Sequence, residues 1–159
     1  MGYDAKYMKM AAEVADAGIT GGFGGPFGCV IVKDGEVVAS THNTVVHDND
    51  PTAHGEVNAI RMACKKLNTF DLKGCELYTT SEPCPMCMGA IMWARIDQVY
   101  SAMDIEDAAK IGFDDKPFYE AITAYAKGEE NAFVKTEFQK DESCVRLFEK
   151  YDKMNKVMY

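Results

Sequence analysis

His54-Gly55-Glu56 and, thirty residues on, Pro83-Cys84-Pro85-Met86-Cys87 decide the reading of this chain. Between them lie a helix-length run, His54 to Leu67, and a strand-length run, Cys75 to Thr80. Cys84 and Cys87 open a second helical run, Cys84 to Ala94, and their spacing puts both sulfurs on one face. Pro83 and Pro85 suit a helix start, where a missing N–H costs little. Helix N-termini carry free N–H groups and partial positive charge, which lower a thiol pKa. Both cysteines can therefore bind a metal as thiolates. His54 opens its own helix directly after Pro51-Thr52-Ala53. The two helix starts converge beyond the C-terminal edges of the strands, where open α/β sheets collect ligands.

His54, Cys84 and Cys87 are three ligands of the kind zinc takes. A structural zinc site is closed by four protein ligands, whereas a catalytic one keeps a position open for water. His42, His47 and Cys75 are the nearby candidates for a fourth ligand, and none has a motif spacing. Glu56 lies close to the metal without being required as a ligand. Hydrolysis at zinc needs a base to take a proton from water and an acid to supply one to a leaving amine. One carboxylate can do both in turn. A lone C-x-x-C could equally be a redox pair or a structural knuckle. The joint pattern points to an open, catalytic centre.

Outward from these segments the element order is helix, hairpin, helix, strand, helix, strand. Asp4 to Ala17 shows helical spacing and is expected to stop at Gly18. Thr20 to Gly28 is a glycine-rich loop without G-x-G-x-x-G or a Walker lysine, so it suits close backbone approach better than phosphate binding. Cys29 to Val32 and Glu36 to Ser40 flank Asp34-Gly35 as a hairpin. Asn43 to Ala53 reads as a polar loop and Gln98 to Ser101 as a strand. Strands alternating with helices imply parallel pairing. Glu106 to Ile111, Pro117 to Ala126 and Asp141 to Met158 read as helical, and Phe133 to Phe138 as extended.

With 159 residues, 47% hydrophobic and 26% charged, the chain suits one domain with its own core. Its net charge of −8 argues against a polyanionic partner, because tRNA or DNA would need a positive face. The densest basic stretches, Arg61 to Lys66 and Lys150 to Lys156, read as solvated helix faces. A small neutral substrate fits this charge. The N-terminal run lacks an apolar core of signal-peptide type, and no apolar stretch is long enough to span a bilayer. A cytoplasmic location is expected, where thiols stay reduced. Cys29, Cys64, Cys75 and Cys144 then read as buried small hydrophobes.

At these residues the chain resembles the cytidine and deoxycytidylate deaminase superfamily, whose signature is H-x-E followed by P-C-x-x-C. Gly24-Gly25-Pro26-Phe27-Gly28, Asn49-Asp50-Pro51-Thr52-Ala53-His54, Glu82-Pro83-Cys84-Pro85-Met86-Cys87 and Trp93-Ala94-Arg95 look like its bacterial guanine deaminase branch. So does Gly112-Phe113-Asp114-Asp115, which the tRNA adenosine deaminase branch does not share. The resemblance covers residues 4 to 120 well and the tail poorly. It implies a three-layer α/β/α sandwich around a five-stranded mixed sheet, and hydrolysis of an exocyclic amine on a purine or pyrimidine ring. For guanine the products would be xanthine and ammonia. It also implies one zinc per subunit on His54, Cys84 and Cys87, with Glu56 as the proton carrier. Asn43 matches the residue that hydrogen-bonds the base, Asp115 the acid that reads guanine, and Phe27 and Trp93 the aromatic pocket positions.

In that branch the C-terminal segment is exchanged between two subunits of a homodimer, and its last aromatic residue closes the partner's site. Residues 137–159 would be that segment within a single domain spanning 1–159, with Tyr159 as the aromatic and Glu142 as the segment's glutamate. Two departures matter. The usual H-A-E reads His54-Gly55-Glu56, and glycine is poorer in a helix by about 1 kcal/mol. The tail lacks the tryptophan expected there, and substrate choice depends on this segment. Guanosine, isocytosine and cytosine therefore stay open as substrates. A tRNA adenosine deaminase and a non-enzymatic structural-zinc domain remain the other readings.

Overall fold

β1 (Gly28–Lys33) and β2 (Glu36–His42) form the hairpin expected at Asp34-Gly35. Both turn residues have positive φ, 51° and 80°, as a two-residue loop of the primed type requires. β3 (Cys75–Ser81) pairs antiparallel with β1 and parallel with β4 (Gln98–Met103), in the order β2-β1-β3-β4. The parallel pairing expected from alternating strands and helices thus holds between β3 and β4, which α4 (Pro85–Trp93) connects. This computed structural model describes residues 2–159. Among them the sheet has four strands, not five. The run from Phe133 to Phe138 alternates like a strand but enters no ladder, and all six residues are exposed. Alternation supplies two faces, but a strand also needs a paired edge and a face to bury.

Central strands buried on both faces make the sandwich. On one side α1 (Ala5–Thr20) lays Tyr7 and Ala11 against Val30, Val32 and Tyr78. On the other, Ala59 and Ala63 of α3 (Gly55–Leu67) and Ile91 of α4 pack on Cys29, Ile31, Cys75 and Leu77. Consecutive residues of β1 therefore serve opposite layers. Ile31 and Leu77 are fully buried, each stabilising the fold by about 1.5–3 kcal/mol. Asp4 caps α1 by accepting from the Lys6 N–H at 2.9 Å. Gly18 does not stop this helix, which runs to Thr20. Its role is steric, because a Cβ there would lie 2.7 Å from the His42 ring.

The chain divides into two compact units, one ending at Tyr119 and a second from Glu120 to Tyr159. The first also holds the single-turn α2 (Val45–Asp48), inside the stretch expected to be loop, and α5 (Ile105–Lys110), closed by an Asp104/Asp107 capping box. α6 (Lys116–Ala126) begins in it. In the second, α7 (Glu142–Asp152) ends six residues before Met158 and buries none of its residues. Cys144, expected to be buried, is therefore exposed, and Cys64 is only half-buried, while Cys29 and Cys75 are core residues as expected. Among the described residues no helix is long and apolar enough to cross a membrane.

Candidate active site

His54 and Cys84 occupy equivalent places, each the extended residue just before a helix, α3 and α4 respectively. Neither side chain caps its own helix. They face each other instead, with Nδ1 of His54 at 3.6 Å from Sγ of Cys84 and 3.5 Å from Sγ of Cys87. All three ligand atoms lie within 4.8 Å of one another. Nitrogen and sulfur ligands on one tetrahedral zinc, at about 2.0 and 2.3 Å from the ion, are separated by roughly 3.6 Å. The donor set and its spacing therefore fit zinc. The electrostatics fit too. A hydrogen bond from Cys87, helped by His54, holds the Cys84 thiol down to about 4. Cys87 is pushed far up by sharing its proton with Cys84 and by burial. Metal binds the thiolate forms, so filling the site releases the thiol protons.

Glu56, the second residue of α3, is buried behind this cluster. Its Oε1 accepts from the Thr79 hydroxyl at 3.0 Å, and its Oε2 lies 3.5 Å from Sγ of Cys87. Burial pushes the carboxyl above its ordinary range. Between His54 and Glu56, Gly55 passes close to the glycine-rich loop, where a Cβ would meet the Phe27 carbonyl at 3.1 Å. The Thr41 hydroxyl donates to the Gly55 carbonyl at 2.9 Å and ties the helix start to β2.

The glycine-rich loop brings further expected residues together. Asn43, buried just after β2, donates its backbone N–H to the Phe27 carbonyl at 2.8 Å and accepts at Oδ1 from the Val45 N–H at 3.0 Å. The loop backbone approaches so closely that a Cβ on Gly24 would lie 2.1 Å from that Oδ1. Phe27 meets Phe113 edge-on, with centroids 4.9 Å apart. Asp115 is half-buried, and its carbonyl accepts from the Phe118 and Tyr119 N–H groups as α6 begins. Burial, then the charge of Cys84, raises its carboxyl pKa, and Asp115 acts back on His54. It stands within electrostatic reach of the cluster.

Trp93 ends α4, largely exposed, in a surface cleft with Gly89, Met92 and Arg95. Glu142 and Tyr159 belong to the second unit and are exposed. Sequence reasoning missed Thr79 and Tyr119. Strand alternation places Thr79 on the face it shares with Leu77, but nothing in the sequence pairs it with Glu56. Tyr119, whose hydroxyl donates to the Pro83 carbonyl, ties the start of α6 to the cysteine loop.

The family model for the cytidine and deoxycytidylate deaminase zinc-binding region matches residues 1–103. The chain belongs to this deaminase family. It is 53% identical to guanine deaminase of Bacillus subtilis over 116 residues, covering 73% of this deaminase and 74% of that protein. The X-ray structure of guanine deaminase from Bacillus subtilis superposes with a TM-score of 0.89 at 42% identity, over 99% of both chains. A tRNA-specific adenosine deaminase of Aquifex aeolicus is 52% identical over 80 residues, half of this chain and 53% of that one. The deaminase is thus a zinc-dependent aminohydrolase of the class acting on cyclic amidines, and the cluster of His54, Cys84 and Cys87 is positioned as its zinc site.

Proposed function

We propose that this deaminase hydrolyses the exocyclic amine of free guanine, giving xanthine and ammonia. The observation that carries the reading is Asp115, half-buried within electrostatic reach of His54 and Cys84. A carboxylate accepts from the N–H that flanks the amine-bearing carbon of guanine, a position that carries no hydrogen in cytosine or adenine. Likeness to the Bacillus subtilis guanine deaminase over the whole chain supports the same substrate.

Zinc, when bound, acidifies water to a pKa of about 7 and so supplies the nucleophile at neutral pH. His54, Cys84 and Cys87 are the residues that would hold it. Glu56 takes one proton from the water and gives it to a ring nitrogen, then takes the second from the hydroxyl added to carbon and gives it to the amine as it leaves as ammonia. Its burial raises the carboxyl pKa, which suits a group that must take and give a proton twice per turnover. Asn43 hydrogen-bonds the base, and Phe27 and Trp93 offer it aromatic faces.

The working unit in this proposal is one domain, 1–159, assembled as a cytoplasmic homodimer. Residues 137–159 are exchanged between subunits, and Tyr159 and Glu142 complete the site. Leu147, Phe148, Val157, Met158 and Tyr159 leave more apolar surface in water than a free monomer favours, which supports this assembly. Light scattering during gel filtration should give twice the chain mass; a monomer would remove the exchange.

The deciding test is ammonia release by zinc-loaded protein from guanine, guanosine, isocytosine, adenine, cytosine and cytidine, with Glu56→Ala as control. Guanine should be turned over fastest, and the control should lose about 10²–10⁴-fold. Preference for another ring would displace guanine and keep the mechanism. Silence on every ring, with tight and salt-sensitive tRNA binding, would move the function to tRNA despite a net charge of −8.

A further inference from the structure

The hydrogen bond between Thr79 and Glu56 has no place in the chemistry above, yet it is made between two buried side chains from different elements. Thr79 sits on β3, opposite Cys29 of β1 and Ser101 of β4, and is almost wholly buried. Its hydroxyl is thus fixed by a strand paired on both sides, with a β-branched side chain that has little rotamer freedom. From there it donates to Oε1 of Glu56 at 3.0 Å. The carboxylate's second oxygen, Oε2, points towards the ligand cluster, 3.5 Å from Sγ of Cys87.

These contacts make the two carboxylate oxygens unequal. Oε1 is committed to a hydroxyl on a rigid strand. Oε2 is the oxygen turned to the side where His54, Cys84 and Cys87 gather. Without the Thr79 hydroxyl the carboxylate could rotate about its terminal torsion, which is broad and soft. A proton carrier that works at one water and one ring nitrogen needs its oxygen held within hydrogen-bond reach of both.

We propose that Thr79 is a positioning residue for Glu56: its hydroxyl anchors Oε1, so that Oε2 is the oxygen that carries the proton. This rests on the proton-carrier role assigned to Glu56. The assignment binds Thr79 to the chemical step and not to substrate capture. Loss of the hydroxyl should therefore act on kcat and spare KM.

Three zinc-loaded proteins test it: wild type, Thr79→Val and Thr79→Ser. Valine keeps the branched shape and suits a strand, while serine keeps the donor. With guanine, Thr79→Val should lower kcat by roughly tenfold to a hundredfold, as expected for an unmade bond to a buried carboxylate. KM and zinc content should stay as in the wild type, and Thr79→Ser should recover most of kcat. An unchanged kcat in Thr79→Val overturns the proposal. So does a Thr79→Ser variant as slow as Thr79→Val, which would assign the loss to packing. A readout without substrate separates this from the guanine reading. The carboxylate stretch of Glu56, isolated as the infrared difference between wild type and Glu56→Gln, should shift in Thr79→Val and return in Thr79→Ser. An unmoved stretch overturns the anchor whatever ring the enzyme prefers.

Discussion

The backbone N–H of Asn43 donates to the carbonyl of Phe27 across 2.8 Å. One bond thus couples the polar group at the end of β2 to the aromatic at the end of the glycine-rich loop. The loop can follow this path only where side chains are absent. At Gly24 a Cβ would lie 2.1 Å from Oδ1 of Asn43, so Gly24→Ala must displace that amide. We expect KM for guanine to rise by about tenfold while zinc content stays constant, from loss of roughly one substrate hydrogen bond. Steady-state kinetics beside metal analysis check this, and an unaltered KM would remove Asn43 from the substrate site.

Asp115→Asn tests the substrate assignment. An amide can still reach guanine but offers a neutral acceptor in place of a charged one, so kcat/KM should fall at least about tenfold. Stability should not fall with it. Burial and the Cys84 charge raise the carboxyl pKa in the folded state. A raised carboxyl pKa contributes stability that is present at low pH and lost as pH rises through the folded-state value. At neutral pH the charged form gives nothing that asparagine would take away. A melting temperature equal to or above wild type, with activity reduced, is the expected pair of results, and unchanged kinetics would sink the assignment.

Metal removal should silence the enzyme without unfolding it. The ligands sit at two helix starts, while the core lies between the sheet and its flanking helices. Chelator-treated protein should keep its far-ultraviolet circular dichroism and a cooperative melt, and zinc should restore turnover. Both thiols must be deprotonated in the complex, so zinc affinity should weaken as pH falls. An apoprotein without a cooperative transition would instead favour a structural metal.

Gly28→Ala tests the α1 layer. Its Cβ would fall 2.0 Å from the Ala11 carbonyl oxygen and 2.9 Å from the Ala15 Cβ. The first of these is helix backbone and cannot rotate away. We expect a loss of about 3 kcal/mol, near the upper end for overpacking. For a chain of this size that lowers the melting temperature by roughly 10 °C, which calorimetry would read directly.

The sequence by itself determined the zinc ligands, the carboxylate beside them, the hairpin and the helices that carry them. These are local matters: H-x-E and C-x-x-C place side chains within one turn of a helix start, and Asp34-Gly35 supplies the two positive φ angles of a tight turn. What required two distant segments to meet was decided only by the tertiary structure. Gly18 looked like a helix stop and proved to be the gap into which His42 fits. Phe133 to Phe138 has a strand's alternation, but pairing is a property of two segments, and no ladder includes it. Thr79 and Glu56 lie 23 residues apart, and neither residue type announces the other. Their hydrogen bond exists because the fold brings the start of α3 against the sheet, which no local pattern encodes.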